Sequence, residues 1–299
     1  MKTLYLIFTS LALAVTSAIA QTNDTLGRIR ETGVIHVGVR ESSGALSYTT
    51  GNGAYVGFHV EICQRMIQDL ERVLNKKLET RYLPVTSLNR IPLMQNGTID
   101  VECGATTNNS ARQKDVAFAL TTYVEEVRMA VKVGSGINSL SQLNGRKVAT
   151  AAGTTSVQLL RKHERAAKID FIEIFGKDMA ESFLLLESGR ADAFVMDSQV
   201  LAGNIAASRN PSGYQIVGES ISVEPIAIML KKDDPKFKEV INGTIRELIK
   251  SGEMEKIYDK WFMRPIPPRG AKLGLPASNA TKAAWASPND RPLEDYSQR

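Results

Sequence analysis

The chain has 299 residues, 43% hydrophobic and 23% charged, and its 37 Lys and Arg against 32 Asp and Glu leave a net charge of +5. That length and balance describe a globular protein with room for two domains. The positive charge is dispersed, with no basic block and few aromatics near the arginines, which argues against a nucleic-acid partner. Three scattered histidines (His36, His59, His163) and the lack of a cysteine cluster argue against a metal site, so no cofactor is expected.

The N-terminus carries Lys2, an apolar run from Leu4 to Val15 and the small-residue motif Ala18-Ile19-Ala20. This reads as a cleavable signal peptide over residues 1–20, too short to span a bilayer. The mature chain would begin near Gln21. No cysteine follows the cleavage motif to take a lipid, and no later apolar run is long enough to cross a membrane. An exported chain without an anchor stays with the cell only behind an outer barrier, so the expected location is a bacterial periplasm. In that oxidising compartment Cys63 and Cys103 allow one disulfide, although two buried thiols fit the sequence equally well.

Val34 to Val39 reads as a strand ending at Arg40. A helix opens at Gly57-Phe58 with an apolar stripe of Ile62, Met66, Leu70 and Val73 or Leu74. Leu78 to Pro84 alternates like a strand. A helix over Asn89–Gln95 is stopped by Asn96-Gly97, and Ile99–Cys103 is the next strand. Lys147–Ala151 is another strand, after which Gly153-Thr154-Thr155 leads into a helix from Ser156. Glu181–Glu187 is helical, and Ala191–Met196 is a strand ending at Asp197. Leu93-Met94-Gln95-Asn96-Gly97-Thr98-Ile99-Asp100 and Leu185-Leu186-Glu187-Ser188-Gly189-Arg190-Ala191-Asp192 look alike, a hint of two halves built on one plan.

Strands alternating with helices imply α/β architecture, in which ligands bind beyond the carboxyl ends of the strands. Arg40, Thr106-Thr107, Thr154-Thr155 and Asp197 all lie close behind such ends. The stretch Thr86–Arg112 brackets one helix–turn–strand unit with hydroxyls and two arginines. Guanidinium groups grip carboxylates bidentately, so the unit suggests a site for an anion with more than one carboxylate.

These residues resemble the periplasmic solute-binding proteins for polar amino acids, and most of all those for glutamate and aspartate. The landmarks are Val37-Gly38-Val39-Arg40-Glu41-Ser42-Ser43, Asn89-Arg90-Ile91-Pro92-Leu93, Glu102-Cys103-Gly104, Thr106-Thr107-Asn108-Asn109, Ala152-Gly153-Thr154-Thr155-Ser156 and Lys260-Trp261-Phe262. The resemblance implies a type II periplasmic binding protein fold: two α/β lobes joined by two crossing strands, with the ligand cleft between them. Lobe one would hold residues 26–124 and 222–264, lobe two residues 125–221, and residues 265–299 would form a C-terminal extension. The composition of that tail alone suggests an extended segment over the surface, or disorder.

By the same resemblance, Arg112 and Thr107 would hold the α-carboxylate of an amino acid, with Thr155 and the helix start at Thr154–Ser156 in support. Asp197 would pair with the ammonium and so have a lowered pKa, while Arg40, Ser87 and Arg90 would receive a side-chain carboxylate. Ala105 replaces a serine of those relatives, leaving only a backbone carbonyl to accept from the ammonium, and Met179 replaces a histidine at the side-chain end. Simpler alternatives exist for each residue. Arg40 and Arg90 could pair with Glu41 or Glu102, Arg112 could cap the next segment, Ser87 could cap the helix beside it, and Asp197 could serve the dipole of the following helix. The implied function is that of a non-catalytic, monomeric binding protein delivering glutamate or aspartate to an ATP-driven permease. The alternatives are a dehydratase-like enzyme on the same fold, for which no general acid stands out, and a ligand-sensing receptor subunit.

Overall fold

A computed structural model describes residues 24–296, so the signal peptide expected at 1–20 lies outside the described residues. The chain begins with α1 (Thr25–Thr32) and β1 (Val34–Val39), followed by a small antiparallel sheet of β2 (Ser42–Ser43), β3 (Ser47–Gly51) and β4 (Ala54–Val56). Then come α2 (Phe58–Leu74), β5 (Glu79–Pro84), α3 (Arg90–Gln95), β6 (Val101–Thr107), β7 (Val116–Phe118) and β8 (Tyr123–Lys132). The next segment holds β9 (Lys147–Ala151), α4 (Thr155–Ala167), β10 (Ile172–Gly176), α5 (Met179–Glu187), β11 (Ala193–Asp197) and α6 (Ser198–Ala207). The long β12 (Tyr214–Lys231), α7 (Pro235–Lys250), α8 (Glu253–Tyr258) and α9 (Asn279–Ala286) complete the plan.

The expected elements form with shifted ends. In α2 the buried stripe is Ile62, Met66, Leu70 and Leu74, while Val73 is 56% exposed. Strand β6 runs on to Thr107, so Thr106 and Thr107 lie inside the strand rather than after it. Thr154 is the N-cap of α4, but its hydroxyl donates to the Ala151 carbonyl at 2.7 Å instead of serving the helix.

The main sheet runs β10-β9-β11-β8-β12-β6-β1-β5, with β7 also on β12. Strands β5, β1 and β6 are parallel at one end, and β10, β9 and β11 are parallel at the other. Between them β8 and β12 run antiparallel to each other and to their outer neighbours. Only β8 and β12 reach both ends, and the register of their pairing shifts between Val217 and Ser222. Apolar packing divides at the same place: one group of cores draws on α2, β1, β6 and α7, another on β9, β11, α5 and α6.

The look-alike segments have one structural job in both halves. The Asp100 carboxylate accepts from His36 N at 2.7 Å, and Asp192 accepts from Lys147 N at 2.8 Å. Each aspartate, lying just before its own strand, thus ties that strand to the parallel strand beside it. Its backbone N–H also donates to the same residue, Asp100 N to His36 O at 2.9 Å and Asp192 N to Lys147 O at 2.7 Å.

The C-terminal segment departs from the compositional reading, because α9 packs on the back of β8. Thr281 exchanges hydrogen bonds with the Val124 backbone, and Trp285 Nε1 donates to the Thr122 carbonyl at 2.8 Å. Among the described residues no helix is long and apolar enough to cross a membrane.

Cys63 in α2 and Cys103 in β6 are joined by a disulfide, with Cα atoms 6.3 Å apart. The bridge ties the main helix of the first half to the strand that carries Thr107, closing a loop of 40 residues. Constraining the unfolded chain over such a loop is worth about 2–5 kcal/mol. Reduction should therefore lower the melting temperature by roughly 5–15 °C, as calorimetry with and without dithiothreitol would show. An unchanged midpoint would mean that the bridge adds nothing.

Candidate functional site

The polar residues singled out by sequence converge where the two halves meet. Arg40 follows β1 directly and is fully buried; its backbone N–H is held by Ser47 Oγ at 3.0 Å, and its Nη2 donates to Ser87 Oγ at 3.1 Å. Arg90 opens α3 and donates Nη1–H to the Ala105 carbonyl of β6 at 3.0 Å. Gly104 allows this packing, since a Cβ there would collide with the Glu102 carboxylate and with Cγ of Arg40. Glu102 in turn accepts from Thr106 Oγ1 at 2.7 Å.

Arg112 is half-buried beyond the end of β6. Its Nη1 donates to the Thr107 carbonyl at 2.9 Å and its Nη2 reaches the Gly153 carbonyl of the other half at 3.3 Å. Gly153 has φ +79°, and a Cβ there would sit 2.9 Å from the Ser87 carbonyl group. Only glycine lets the turn before α4 approach the loop before α3 this closely.

Both halves also meet on Glu224 of β12, whose Oε2 accepts from Thr107 Oγ1 at 2.7 Å and Thr155 Oγ1 at 2.8 Å. Gln199 of α6 makes a second crossing. Its Oε1 accepts from Ala45 N at 2.9 Å and its Nε2 donates to the Ser43 carbonyl at 3.3 Å. The seam is therefore closed.

Arg40, Arg90, Glu102, Glu125, Asp197 and Glu224 are all buried here. Burial pulls the Arg40 guanidinium down to about 10 and that of Arg112 to about 9, with repulsion from Arg90 adding to both. Both remain cations at neutral pH. Asp197 is pushed up to about 7, first by burial and then by Glu224, against the pull of Arg90, Arg112 and Arg40. The lowering expected from sequence belongs to an Asp197 paired with an ammonium; the protein's own groups leave it raised, with Glu224 as a neighbouring acid that sequence did not count. His59, wedged between the Gly104 carbonyl and Thr122 Oγ1, is lowered to about 4 by burial and stays neutral.

Several donors and acceptors in this cluster have no protein partner: Arg40 Nη1, Arg90 Nε, Glu102 Oε1, Glu125 Oε2 and Glu224 Oε1. These buried atoms keep hydrogen-bonding capacity that the protein itself does not satisfy. The surface cavities lie elsewhere; one of about 370 Å³ on the outer seam is lined by Tyr48, Asn204 and Pro267.

All seven residues proposed from sequence (Arg40, Ser87, Arg90, Thr107, Arg112, Thr155 and Asp197) belong to this cluster or its edge. Neither Arg40 nor Arg90 forms an ion pair with Glu41 or Glu102 among the described residues, and Asp197 makes no side-chain capping bond to α6. The Ala105 carbonyl, expected to face an ammonium, is engaged by Arg90. Met179 is buried in an apolar cluster with Phe183 and Phe194. Sequence reading named Glu102 only as a possible partner of the arginines, and missed Glu125, Gln199 and Glu224. The available signal was a charge inside an otherwise apolar strand, as in Tyr123-Val124-Glu125-Glu126-Val127.

Residues 35–264 match the family of bacterial extracellular solute-binding proteins, family 3, and the chain belongs to that family. It is 42% identical to the glutamate/aspartate import solute-binding protein of Escherichia coli, over 95% of this chain and 96% of that one. It is also 42% identical to the L-glutamate/L-aspartate-binding protein of Pseudomonas aeruginosa, over 90% of each. Among solved structures, the ancestral amino acid-binding protein AncCDT-1, a precursor of cyclohexadienyl dehydratase, superposes with a TM-score of 0.69 at 28% identity, over 80% of this chain and 99% of that one. The fold is the type II periplasmic binding protein fold, two lobes joined by the crossing strands β8 and β12.

Closure leans on Gln199. Removing its two hydrogen bonds by Gln199→Ala should weaken the closed form by about 1–3 kcal/mol. Solution X-ray scattering should then give a larger radius of gyration than for the native protein. Identical scattering curves would show that Gln199 does not hold the seam.

Proposed function

We propose that this protein is the periplasmic binding component of an ATP-driven amino-acid importer, acting as a monomer and taking glutamate or aspartate into the seam. Residues 26–124 and 222–264 form one lobe, residues 125–221 the other, and residues 265–299 an extension over the hinge. The names of the relatives support the ligand class. The observation that carries the reading is one buried cluster with unpartnered guanidinium N–H groups on Arg40 and Arg90 and carboxylates on Asp197 and Glu224. A molecule with a carboxylate at one end and an ammonium at the other satisfies both.

Hydrogen-bond direction refines the roles. Thr107 and Thr155 each commit the hydroxyl proton to Glu224, which leaves their oxygen lone pairs to accept from an N–H donor. We therefore place them, with Asp197 and Glu224, around the ammonium. The α-carboxylate then falls to Arg112 and the backbone N–H groups at the start of α4. Arg40, Ser87 and Arg90 take the side-chain carboxylate, and Met179 offers it no donor. Binding favours the closed form through contacts with both lobes, and no covalent step is needed. A closed form of this kind would serve a membrane sensor as readily as a permease.

A second reading, an enzyme of the dehydratase type, gains from the raised pKa of Asp197, a proton donor that sequence did not provide. Mass spectrometry separates the two: a binding protein returns glutamate and aromatic precursor acids unchanged.

In a thermal-shift screen, glutamate and aspartate should raise the melting temperature while lysine and leucine leave it in place. Dicarboxylates without an ammonium should bind weakly. Arg112→Ala should abolish binding of every amino acid. Arg90→Ala should cost about 2–5 kcal/mol for glutamate and less for glutamine. Equal calorimetric losses for glutamate and glutamine would remove Arg90 from the side-chain pocket.

A further inference from the structure

The crossing strands carry an acid that the proposed ligand contacts do not use. In the β8–β12 pairing Glu125 lies directly opposite Glu224, and Val127, two residues along, lies opposite Asp197 of β11. Direct cross-strand partners share a face, and so do residues two apart. Glu125, Glu224 and Asp197 therefore form a row on one face of the sheet, all buried.

Glu125 is held by one oxygen only. Its Oε1 accepts from Ser198 Oγ at 2.6 Å, Ser198 N at 3.1 Å and its neighbour Glu126 N at 2.9 Å. Ser198 is the first residue of α6, immediately after Asp197, so Glu125 fixes the turn that aims the Asp197 carboxylate. Its Oε2 is buried without a partner, and no lysine or arginine forms an ion pair with it among the described residues. The titratable groups facing it are acidic or phenolic: Asp197 from β11, Glu224 from β12, Tyr123 from its own strand and Tyr258 from α8, with the Gln199 backbone N–H beside it as well.

The charge of the whole cluster points the same way. Arg40, Arg90 and Arg112 face Glu102, Glu125, Asp197 and Glu224, so with every group ionised the acids exceed the bases, and glutamate adds a further negative charge. Asp197 is balanced by the three arginines, whereas Glu125 has no cation beside it.

We propose that Glu125 is a positioning residue that works as a neutral carboxylic acid: Oε2 carries a proton, and Oε1 holds Ser198 so that Asp197 meets the ligand ammonium. This inference rests on the reading of the seam as an amino-acid site. Burial and the Asp197 charge both push the Glu125 carboxyl well above the ordinary carboxylate range, in agreement with that state. A raised carboxyl pKa in the folded protein gives stability that is complete below the ordinary carboxylate pKa and is lost as pH rises through the folded value.

The test compares Glu125→Gln, which keeps an acceptor for Ser198 without charge, with Glu125→Leu, which keeps neither acceptor nor charge. Glutamate affinity at pH 7.5 should fall at least tenfold in Glu125→Leu, and the conservative Glu125→Gln should recover most of that loss. The difference between infrared spectra of the native protein and Glu125→Gln at pH 7.5, with and without glutamate, should show the carbonyl stretch of a protonated carboxyl; the subtraction removes the share that Asp197, at about 7, gives to both. The decline of melting temperature towards alkaline pH should also be shallower in Glu125→Gln. Equal loss of affinity in both variants would mean that Glu125 acts as an anion and would overturn the proposal, as would a difference spectrum without that stretch. If no amino acid binds the native protein, the transport reading fails by itself, and the infrared band still decides where the proton resides.

Discussion

The dominant constraint on this structure is the withdrawal of opposed charges from water where β8 and β12 cross. Six ionisable side chains are buried there and a seventh, Arg112, is half-buried. An ion moved into such surroundings costs several kcal/mol unless partners compensate, so the cluster holds together only as a set. The surrounding features act to keep that set in place. Gly104 makes room for Arg40 beside Glu102, Gly153 lets the lobes approach, and the Cys63–Cys103 bridge pins the strand that carries Thr107. On the far side of β8, α9 anchors the hinge backbone through Thr281 and Trp285.

Much of the fold was legible in the sequence, because its strands and helices follow plain rules of period and punctuation. The Leu93–Asp100 and Leu185–Asp192 echo proved to be more than similarity of letters, since Asp100 and Asp192 each bind the backbone of a neighbouring parallel strand. The arginines were found because guanidinium groups at strand and helix ends stand out against apolar surroundings. Of the buried acids only Asp197, at a strand end, was found in the same way. Glu125 and Glu224 lie in strands where an acidic residue ordinarily faces solvent, and only the pairing of β8 with β12 turns them inward together. The repulsion of Asp197 by Glu224 was hidden for the same reason, since it depends on a contact between distant segments.

The arrangement also links chemistry to motion. Glu224 takes one hydroxyl from each lobe, Arg112 reaches across to Gly153, and Gln199 reaches across to the Ser43–Ala45 backbone. The bonds from Thr155, Arg112 and Gln199 break if the lobes part, so a ligand that strengthens the cluster shifts the population towards closure.

Crystallography of the glutamate complex is the most direct test of that cradle. The expected result places the ammonium against Asp197 and Glu224, the α-carboxylate against Arg112 and the start of α4, and the side-chain carboxylate against Arg40 and Arg90. Glutamate bound outside this cluster, or bound with Arg40 and Arg90 both untouched, would contradict it.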